Sequence, residues 1–172
     1  MNTDIVIKVN DLDEIIGYAD KMEVHKKGIL HRAISIFIVN SKGEWLLQQR
    51  AEKKYHSELL WSNTCCTHPL KGETTLDAAN RRLREEMGMA TSLSKLFSFQ
   101  YYANLNNALI ENELDHIYWG VTDQIPAVNP KEVASYRYIA PELLEQEINK
   151  EPEKFTEWFK MLFEKVRKEV EQ

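Results

Sequence analysis

The chain has 172 residues, of which 43% are hydrophobic and 28% are charged, and its formal net charge is -5. This length suits one compact domain with its own core and is short for two, so a single domain over residues 1–172 is predicted. The acidic balance gives no general attraction to nucleic acid or to anionic membranes. An anionic small-molecule ligand would therefore need cations placed close to its binding site.

The N-terminal stretch "MNTDIVIKVNDLDE" contains acidic residues and no long apolar run. We therefore expect neither a signal peptide nor a membrane span there, and we predict a cytoplasmic protein. In that compartment the two cysteines, Cys65 and Cys66, should stay reduced. Adjacent cysteines also form a disulfide only with strain, so no structural disulfide is predicted.

The first half of the chain predicts three strands. "DIVIKVN", residues 4–10, alternates apolar and polar residues as a half-buried strand does. "HRAISIFIVN", residues 31–40, and "SKGEWLLQQR", residues 41–50, predict two strands joined at Ser41-Lys42-Gly43. These two segments are therefore expected to form a β-hairpin, with His31 at the start of its apolar first strand.

A helix is predicted over "LDAANRRLREEM", residues 76–87. Either Thr75 or Asp77 is the predicted N-cap, and Gly88 supplies the stop. This helix lies between strands, which is typical of a mixed α/β domain. Its predicted apolar stripe consists of Leu76, Ala79, Leu83 and Met87.

The second half predicts further strands and a C-terminal helix. Strands are expected over 93–103 and 112–123, separated by the Asn-rich stretch 104–108, and a shorter one over 134–140. Residues 153–172 predict an amphipathic helix that must pack on another element. Its apolar face consists of Phe155, Trp158, Phe159, Leu162, Phe163, Val166 and Val170. The predicted fold class is α/β of the mixed α+β kind, with a mixed β-sheet core flanked by helices.

Several polar residues stand out against apolar strands and form a candidate metal site. Glu111 and Glu113 are two apart on a predicted strand, so they project together and repel unless a cation or a shared proton lies between them. With His25, His31 and His68 they make a nitrogen and oxygen ligand set suited to Mn²⁺ or Zn²⁺. A lone histidine at a strand end is more often a surface residue, so the spacing by itself is not diagnostic.

The stretch "SNTCCTHPLKGE", residues 62–73, is compatible with a metal site, a redox pair, a catalytic thiol or a packed loop. A free cysteine such as Cys66 is most often a small buried hydrophobe. Four cations close in sequence to these segments are able to bind a phosphate or diphosphate, although most basic residues are solvated surface. They are Lys21, Arg50, Lys54 and Arg82.

The segment "THPLKGETTLDAANRRLREEMGM", residues 67–89, resembles the Nudix box, G-x5-E-x7-R-E-U-x-E-E-x-G-U, where U is aliphatic. Two positions depart from that pattern, because Thr67 replaces the opening glycine and Arg82 replaces a glutamate that helps the hydrolases bind metals. The second departure argues against hydrolysis of a pyrophosphate bond. The matching residues are Glu73, Arg81, Leu83, Glu85, Glu86, Gly88 and Met89.

The pattern is similar to that of one branch of this superfamily, the type 1 isopentenyl-diphosphate isomerases. The resemblance covers roughly residues 20 to 165. It implies a single Nudix-type domain that interconverts isopentenyl and dimethylallyl diphosphate in isoprenoid biosynthesis, through protonation and deprotonation of a tertiary carbocation. Its ordered blocks are "LHRAISIFIVNSKGEWLLQQRA", "WSNTCCTHPL", "RRLREEMG", "FQYYA", "IENELDHIYWG" and "FTEWF".

The resemblance also implies roles for individual residues. Cys66 matches the catalytic thiol and Cys65 its packed neighbour, while Glu113 matches the catalytic carboxylate and Tyr101 the tyrosine beside it. Trp158 matches the aromatic residue that covers the hydrocarbon end of the substrate. Which of the thiol and the carboxylate protonates the alkene stays open, because it depends on protonation states in the bound complex.

The same resemblance implies two metal ions. A Mn²⁺ or Zn²⁺ ion would bind His25, His31, His68, Glu111 and Glu113. Glu86 would help to hold a Mg²⁺ ion that is bound to the diphosphate, and the diphosphate itself would contact Lys21, Arg50, Lys54 and Arg82.

Two other functions compete with this one. A Nudix hydrolase of a nucleoside diphosphate derivative would explain Glu86 and a metal, but not Cys66, the paired glutamates or Arg82. A non-catalytic zinc module would use Cys65, Cys66 and His68, yet adjacent cysteines are poor chelators and no second cysteine cluster exists. The sequence leaves monomer and homodimer open, and the C-terminal helix is able either to cover the site or to form a dimer contact.

Overall fold

The structure, a computed structural model, describes residues 5–172. The strands are β1 (Ile5–Val9), β2 (Ile15–Asp20), β3 (His31–Val39), β4 (Trp45–Arg50), β5 (Trp61–Ser62), β6 (Cys65–Thr67), β7 (Ser94–Asn104), β8 (Ile110–Val121) and β9 (Val133–Ile139). The helices are α1 (Lys21–Lys27), α2 (Thr75–Met87), α3 (Pro141–Lys150) and α4 (Glu157–Val170). No helix in this part of the chain is long and apolar enough to cross a bilayer.

Strand β3 is the centre of one mixed sheet. It runs parallel to β8, with His31 opposite Glu113, and antiparallel to β6, with Ser35 opposite Cys66. The edge of β8 that does not pair with β3 pairs antiparallel with the long strand β7, which places Tyr101 opposite Glu113. The register therefore aligns side chains from β7, β8, β3 and β6 across the middle of the sheet, and the predicted mixed sheet flanked by helices is confirmed.

Helices α2 and α4 cover opposite faces of this sheet. Because successive strand residues face opposite sides, Phe37 of β3 packs with the α4 residue Phe159, whereas Ile36 packs with the α2 residue Leu83. Both cores are closed by fully buried aliphatic and aromatic side chains. The alternating side chains of the apolar strand β3 thus contribute to both cores. One core holds α2 and the other holds α4, and each helix carries part of the site.

The predicted β-hairpin is confirmed only near its turn. Strands β3 and β4 pair at Ile38 and Val39, and Gly43 closes the turn with a φ of 76° and a hydrogen bond from its N–H to the Asn40 carbonyl. The earlier part of β3 pairs instead with β6, which takes up the hydrogen bonds that a full hairpin would use. Strand β1 confirms the first predicted strand over residues 5–9, and residue 4 lies outside the described residues.

Helix α2 begins one residue earlier than predicted. Its N-cap is Thr74, whose Oγ1 accepts from the Asp77 N–H, so the predicted caps at Thr75 and Asp77 are wrong. Leu76 is 42% exposed, and Ala78 takes its expected place in the buried stripe. The predicted stop is confirmed at Gly88, where φ is 63° and a Cβ atom would lie 2.4 Å from the Ala127 carbonyl oxygen, so only glycine fits.

The C-terminal helix starts later than predicted, at Glu157. Phe155 precedes it in an extended conformation and pairs with Trp61 of β5, and the Thr156 N–H donates to the Trp61 carbonyl at 2.9 Å. Val170, at the end of the predicted apolar face, is only half-buried. No strand or helix was predicted at β2, α1, α3, β5 and β6, which are short or lack a strong apolar period.

Candidate active site

One cavity brings the predicted site residues together. His25 and His31 are outside its lining and fully buried, and both contact the lining residue Glu113. The elements that supply the other side chains are α1, α2, α4, β4, β6, β7 and β8, together with the loops that follow β4 and β6. The predicted residues in its lining are Lys21, Arg50, Lys54, Cys66, His68, Arg82, Glu86, Tyr101, Glu111, Glu113 and Trp158.

Two buried histidines are held in the tautomer that suits metal ligands. His25 sits at the end of α1 and donates its Nδ1–H to the Lys21 carbonyl at 2.6 Å. His31 opens β3 and donates its Nδ1–H to the Ile29 carbonyl at 2.8 Å. A backbone carbonyl only accepts, so both Nδ1 atoms carry the proton and each Nε2 presents a lone pair to the cluster.

The donor atoms of the cluster are close enough to share one ion. His68 Nε2 lies 3.2 Å from His31 Nε2 and 3.0 Å from Glu113 Oε1, and His31 Nε2 lies 3.3 Å from Glu113 Oε1. With His25 these four residues offer ligand atoms that all lie within 4.8 Å of one another. Metal–ligand bonds of about 2.1 Å set neighbouring ligands roughly 3.0 to 3.4 Å apart, so the group fits a first-row divalent ion.

The charges of the cluster also demand a cation. Burial favours a lower pKa for His25, but Glu111 and Glu113 outweigh it and raise that pKa above its ordinary value. Burial and His31 hold the pKa of His68 well below its usual range, so His68 is a neutral ligand. His25 Nε2 has no hydrogen-bond partner among the described residues. Positive charge is therefore favoured at the centre of the group, from a proton or from a metal ion.

Tyr101 connects the two glutamates of β8. Its hydroxyl donates to Glu113 Oε2 at 2.8 Å and lies 3.2 Å from Glu111 Oε2. Burial, together with these two carboxylates, raises the pKa of Tyr101 well above its usual range, so the phenol stays protonated. Burial alone would raise the pKa of Glu113, but its contacts with Glu111 and His31 outweigh burial and hold that pKa well below its ordinary value. Glu113 is thus a carboxylate whose Oε1 faces the histidines and whose Oε2 accepts the hydrogen bond from Tyr101.

The Cys66 thiol lies on the other flank of β3 and is held protonated. Its S–H donates to Asn63 Oδ1 at 3.1 Å, and Trp158 Nε1–H donates to its sulfur at 3.0 Å. The Asn63 amide is fixed because its Nδ2 donates to the carbonyls of Ile36 and Cys65. Burial, followed by the negative charge of Asp115, raises the pKa of Cys66 to about 12. The cavity therefore carries an un-ionised thiol opposite an ionised carboxylate.

Basic residues cluster in the lining of the cavity. Burial lowers the pKa of Lys21, and the positive charges of Lys54, Arg50 and Arg82 lower it further. The Arg50 guanidinium lies 5.2 Å from the ring centroid of Trp158. This concentration of positive charge is suited to a diphosphate in a protein that is acidic overall.

Glu86 of α2 lies at the inner edge of these cations. It pairs with Arg82, and its Oε2 accepts hydrogen bonds from Gln48 Nε2 at 3.0 Å and from the Cys65 thiol at 3.2 Å. Arg82 also pairs with Glu85 at 2.7 Å, so one guanidinium contacts both adjacent glutamates of the box. Cys65 faces Glu86 while Cys66 faces Asn63, so the two thiols cannot chelate one ion, and the zinc-module alternative fails.

The sequence did not single out several residues that touch this site. Asp115 continues the alternation of Glu111 and Glu113 on β8 and accepts a hydrogen bond from Ser35 Oγ at 2.6 Å. The alternation of side chains along a strand would have identified Asp115, because it lies two residues after Glu113. His56, in the loop after β4, has its Nε2 3.0 Å from Glu111 Oε1. It was discoverable as one of only five histidines, whereas nothing in the sequence distinguishes Asn63.

The fold and its site define a NUDIX-domain protein. The family described as NUDIX domain matches residues 29–159, which is most of the chain. A crystal structure from Deinococcus radiodurans superimposes with a TM-score of 0.78 over 94% of this chain and 98% of that one, at 21% identity. The MutT protein from Methanosarcina mazei gives a TM-score of 0.69 over 83% and 96% of the two chains, at 16% identity. These structures share the fold.

Within this superfamily the chain belongs to the isopentenyl-diphosphate Delta-isomerase family. It is 51% identical to the isopentenyl-diphosphate Delta-isomerase of Pectobacterium atrosepticum, over 94% of this chain and 90% of that protein. The protein of the same name from Serratia proteamaculans is 49% identical, over 91% and 87% of the two chains. The predicted family is confirmed, the chain is an enzyme of that family, and the hydrolase alternative is disfavoured.

Proposed function

We propose that this protein interconverts isopentenyl diphosphate and dimethylallyl diphosphate, moving one C=C bond by one carbon in isoprenoid biosynthesis. The observation that carries the proposal is the pairing of a protonated thiol, Cys66, with an ionised carboxylate, Glu113, in the lining of one cavity. Cations suited to a diphosphate surround the same cavity. The names of relatives that are about half identical support the same substrate.

The reaction needs one group to give a proton and another to take one. An unactivated alkene is a very weak base, so its protonation requires a well-placed acid and a site that tolerates a tertiary carbocation. Cys66 and Glu113 belong to strands that flank β3 on opposite sides, so they are able to face two sides of a bound substrate. Their opposite protonation states allow one to donate while the other accepts.

Two neighbouring residues support these proton transfers. Tyr101 donates its hydroxyl hydrogen to Glu113, which fixes the orientation of that carboxylate. Trp158 donates to the Cys66 sulfur while its ring lines the cavity. An aromatic ring attracts a desolvated cation by about 0.5 to 2 kcal/mol, so Trp158 would stabilise the carbocation modestly. Most of the rate enhancement must come from positioning the groups and excluding water.

We assign the metal centre to His25, His31, His68, Glu111 and Glu113, with Mn²⁺ or Zn²⁺ as the ion. When bound, such an ion supplies a fixed positive charge that orients Glu113 and changes its acidity. Glu86 and the diphosphate would hold a Mg²⁺ ion, while Lys21, Arg50, Lys54 and Arg82 bind the remaining phosphate charge. Binding energy from the diphosphate is remote from the carbons that react and helps to position them.

The proposal extends to the setting of the enzyme. We propose that residues 1–172 form one domain that acts in the cytoplasm on a small molecule, with no nucleic-acid or membrane partner, as a monomer or a homodimer. Both cysteines are free thiols, the state that a reducing compartment maintains, which supports the location. The net charge of -5 supports the absence of polyanionic partners.

The direct test is turnover of isopentenyl diphosphate with Mg²⁺ in D₂O, followed by proton NMR. We expect dimethylallyl diphosphate with deuterium in a methyl group, and we expect Cys66→Ala and Glu113→Gln to form none. Circular dichroism of each variant serves as the folding control. An unchanged substrate spectrum from folded, metal-replete wild-type protein would disprove the function, and deuterated product from either variant would disprove that residue's role.

A further inference from the structure

A further buried histidine adjoins the metal cluster. His56 lies in the loop between β4 and β5 and is 2% exposed. Its Nε2 is 3.0 Å from Glu111 Oε1, within ion-pair distance, yet this Nε2 meets no hydrogen-bond geometry with any of the described residues. A buried polar atom without a partner is costly, so its position needs an explanation.

Its surroundings are those of a ligand set. Nε2 of His56, Nε2 of His25 and a carboxylate oxygen of Glu111 all lie within 4.8 Å of one another. Two ligands at right angles on one first-row ion are separated by about 3.0 Å, because each metal–ligand bond is about 2.1 Å. A nitrogen and an oxygen at this distance, both buried, have the spacing of two ligands that face a common ion.

We propose that His25, His56 and Glu111 form a second position for a divalent transition-metal ion, overlapping the position formed by His25, His31, His68 and Glu113. His25 has only one free nitrogen, because its Nδ1 donates to the Lys21 carbonyl. The two positions therefore cannot both use His25 at once, and one ion occupies one or the other. This inference rests on the proposed metal centre and adds a residue to it.

The second position has a consequence for Glu113. An ion bound by His25, His56 and Glu111 leaves Glu113 free of metal, whereas an ion in the first position engages the carboxylate that handles a proton. Tyr101 contacts both glutamates and so remains a hydrogen-bond donor in either case. The alternative without a metal is that His56 forms an ion pair with Glu111 and packs edge-on against Trp158, at 5.7 Å between ring centroids.

Metal titration of variants separates these alternatives without using activity. Chelator-stripped wild type, His68→Ala, and the double variant His68→Ala/His56→Gln would be titrated with Co²⁺ by calorimetry and by visible absorption. The first substitution removes a ligand of the first position only. We expect His68→Ala to keep one Co²⁺ with an altered spectrum, and the double variant to bind at least tenfold more weakly.

His116→Gln in the His68→Ala background is the matched control, because His116 is a buried histidine outside both groups that contacts Asp13. Circular dichroism would check that every variant folds. Loss of all Co²⁺ binding in His68→Ala, or equal affinity with and without His56, would overturn the second position while leaving the first intact. A wild type that binds no Co²⁺ would instead overturn the metal centre itself.

Discussion

At the histidine end of the cavity, formed by His25, His31, His68 and Glu113, burial coexists with an ionised side chain. At the thiol end, formed by Cys66, Asn63 and Trp158, the buried side chain of Cys66 is neutral instead. The pKa of Glu113 is pushed down and that of Cys66 is raised to about 12. The difference lies in the partners, because Glu111 and His31 outweigh burial at Glu113, whereas at Cys66 burial and the charge of Asp115 outweigh the opposing effects of Arg50 and Asn63.

Asp115 shows the same rule on a single strand. It shares the face of β8 with Glu113, two residues away, and both side chains are buried. Burial and the charge of Glu113 raise the pKa of Asp115 well above its usual range, although Ser35 opposes the shift. Two carboxyls in one row thus have opposite pKa shifts, so the neighbouring groups decide the protonation state rather than depth alone.

The largest effect on activity is expected from substituting Cys66, the residue that carries the proton at the thiol end. Cys66→Ser keeps a small polar group but is a far weaker acid, and we expect kcat to fall by roughly 10² to 10⁴, the range for one acid or base group. Cys65→Ser is the matched control, because its hydroxyl is able to replace the hydrogen bond to Glu86. A steady-state assay in which both variants lose activity equally would contradict the distinction between the two cysteines.

Metal removal should act at the histidine end. An ion present at 100 times its Kd stabilises the folded protein by about 2.7 kcal/mol. Since 1 kcal/mol shifts the Tm by about 2 to 4 °C at this chain length, a chelator should lower the Tm by roughly 5 to 10 °C. Scanning calorimetry with and without added Mn²⁺ or Zn²⁺ would measure this. An unchanged Tm in metal-replete and stripped protein would argue against the centre.

Asn63→Ala tests how the thiol is held. The substitution removes the acceptor of the Cys66 proton and leaves the carbonyls of Ile36 and Cys65 without their donor. We expect kcat to fall by roughly 10 to 100-fold with a smaller change in KM, and stability to fall by about 1 to 3 kcal/mol. Urea denaturation gives the stability. A large rise in KM with unchanged kcat would show that Asn63 serves binding instead.

The smallest effect concerns the two carboxyls of β8 in chelator-treated protein. The pKa of Glu113 is lowered from 4.5, so its ionised form stabilises the fold above about pH 4.5, and this contribution is lost as pH falls. The pKa of Asp115 is raised from 3.8, so its contribution is present below about pH 4 and is lost as pH rises.

Neutral replacements should therefore have opposite effects on these two carboxyls. At pH 7 we expect Glu113→Gln to lower the Tm and Asp115→Asn to raise it, each by a few degrees for about 1 kcal/mol. Calorimetry between pH 4.5 and pH 8 would follow the trend. Shifts of the same sign at pH 7 would show that the two carboxyls do not differ as described.

Much of the fold was predictable because its strands and two long helices have clear apolar periods. The elements around the site carry this signal well, as His31 at the start of β3 and Gly88 at the end of α2 show. The sequence could not predict which strands pair with each other. Strand β6, three residues long, displaces β4 along β3, and only this long-range choice places Cys66 opposite Ser35.

The candidate site was predictable mainly where residues match a family pattern, and it was not where a role depends on local geometry. Asn63 acts through one amide oxygen whose direction is set by two backbone carbonyls. His56 gains its place from a loop that carries it toward Glu111, and no periodicity encodes that approach. Asp115 differs, because alternation along β8 points to it but says nothing about its protonation.

The pairing of Phe155 with Trp61 has a consequence for how the protein is made. The segment around Thr156 contacts β5, and Trp158 donates to the Cys66 sulfur, so residues beyond 150 complete the walls around that thiol. During synthesis this segment leaves the ribosome long after β6 has emerged. Until then Cys66 lacks these contacts, and a stalled nascent chain would display to thiol-reactive reagents a side chain that the finished enzyme holds against α4.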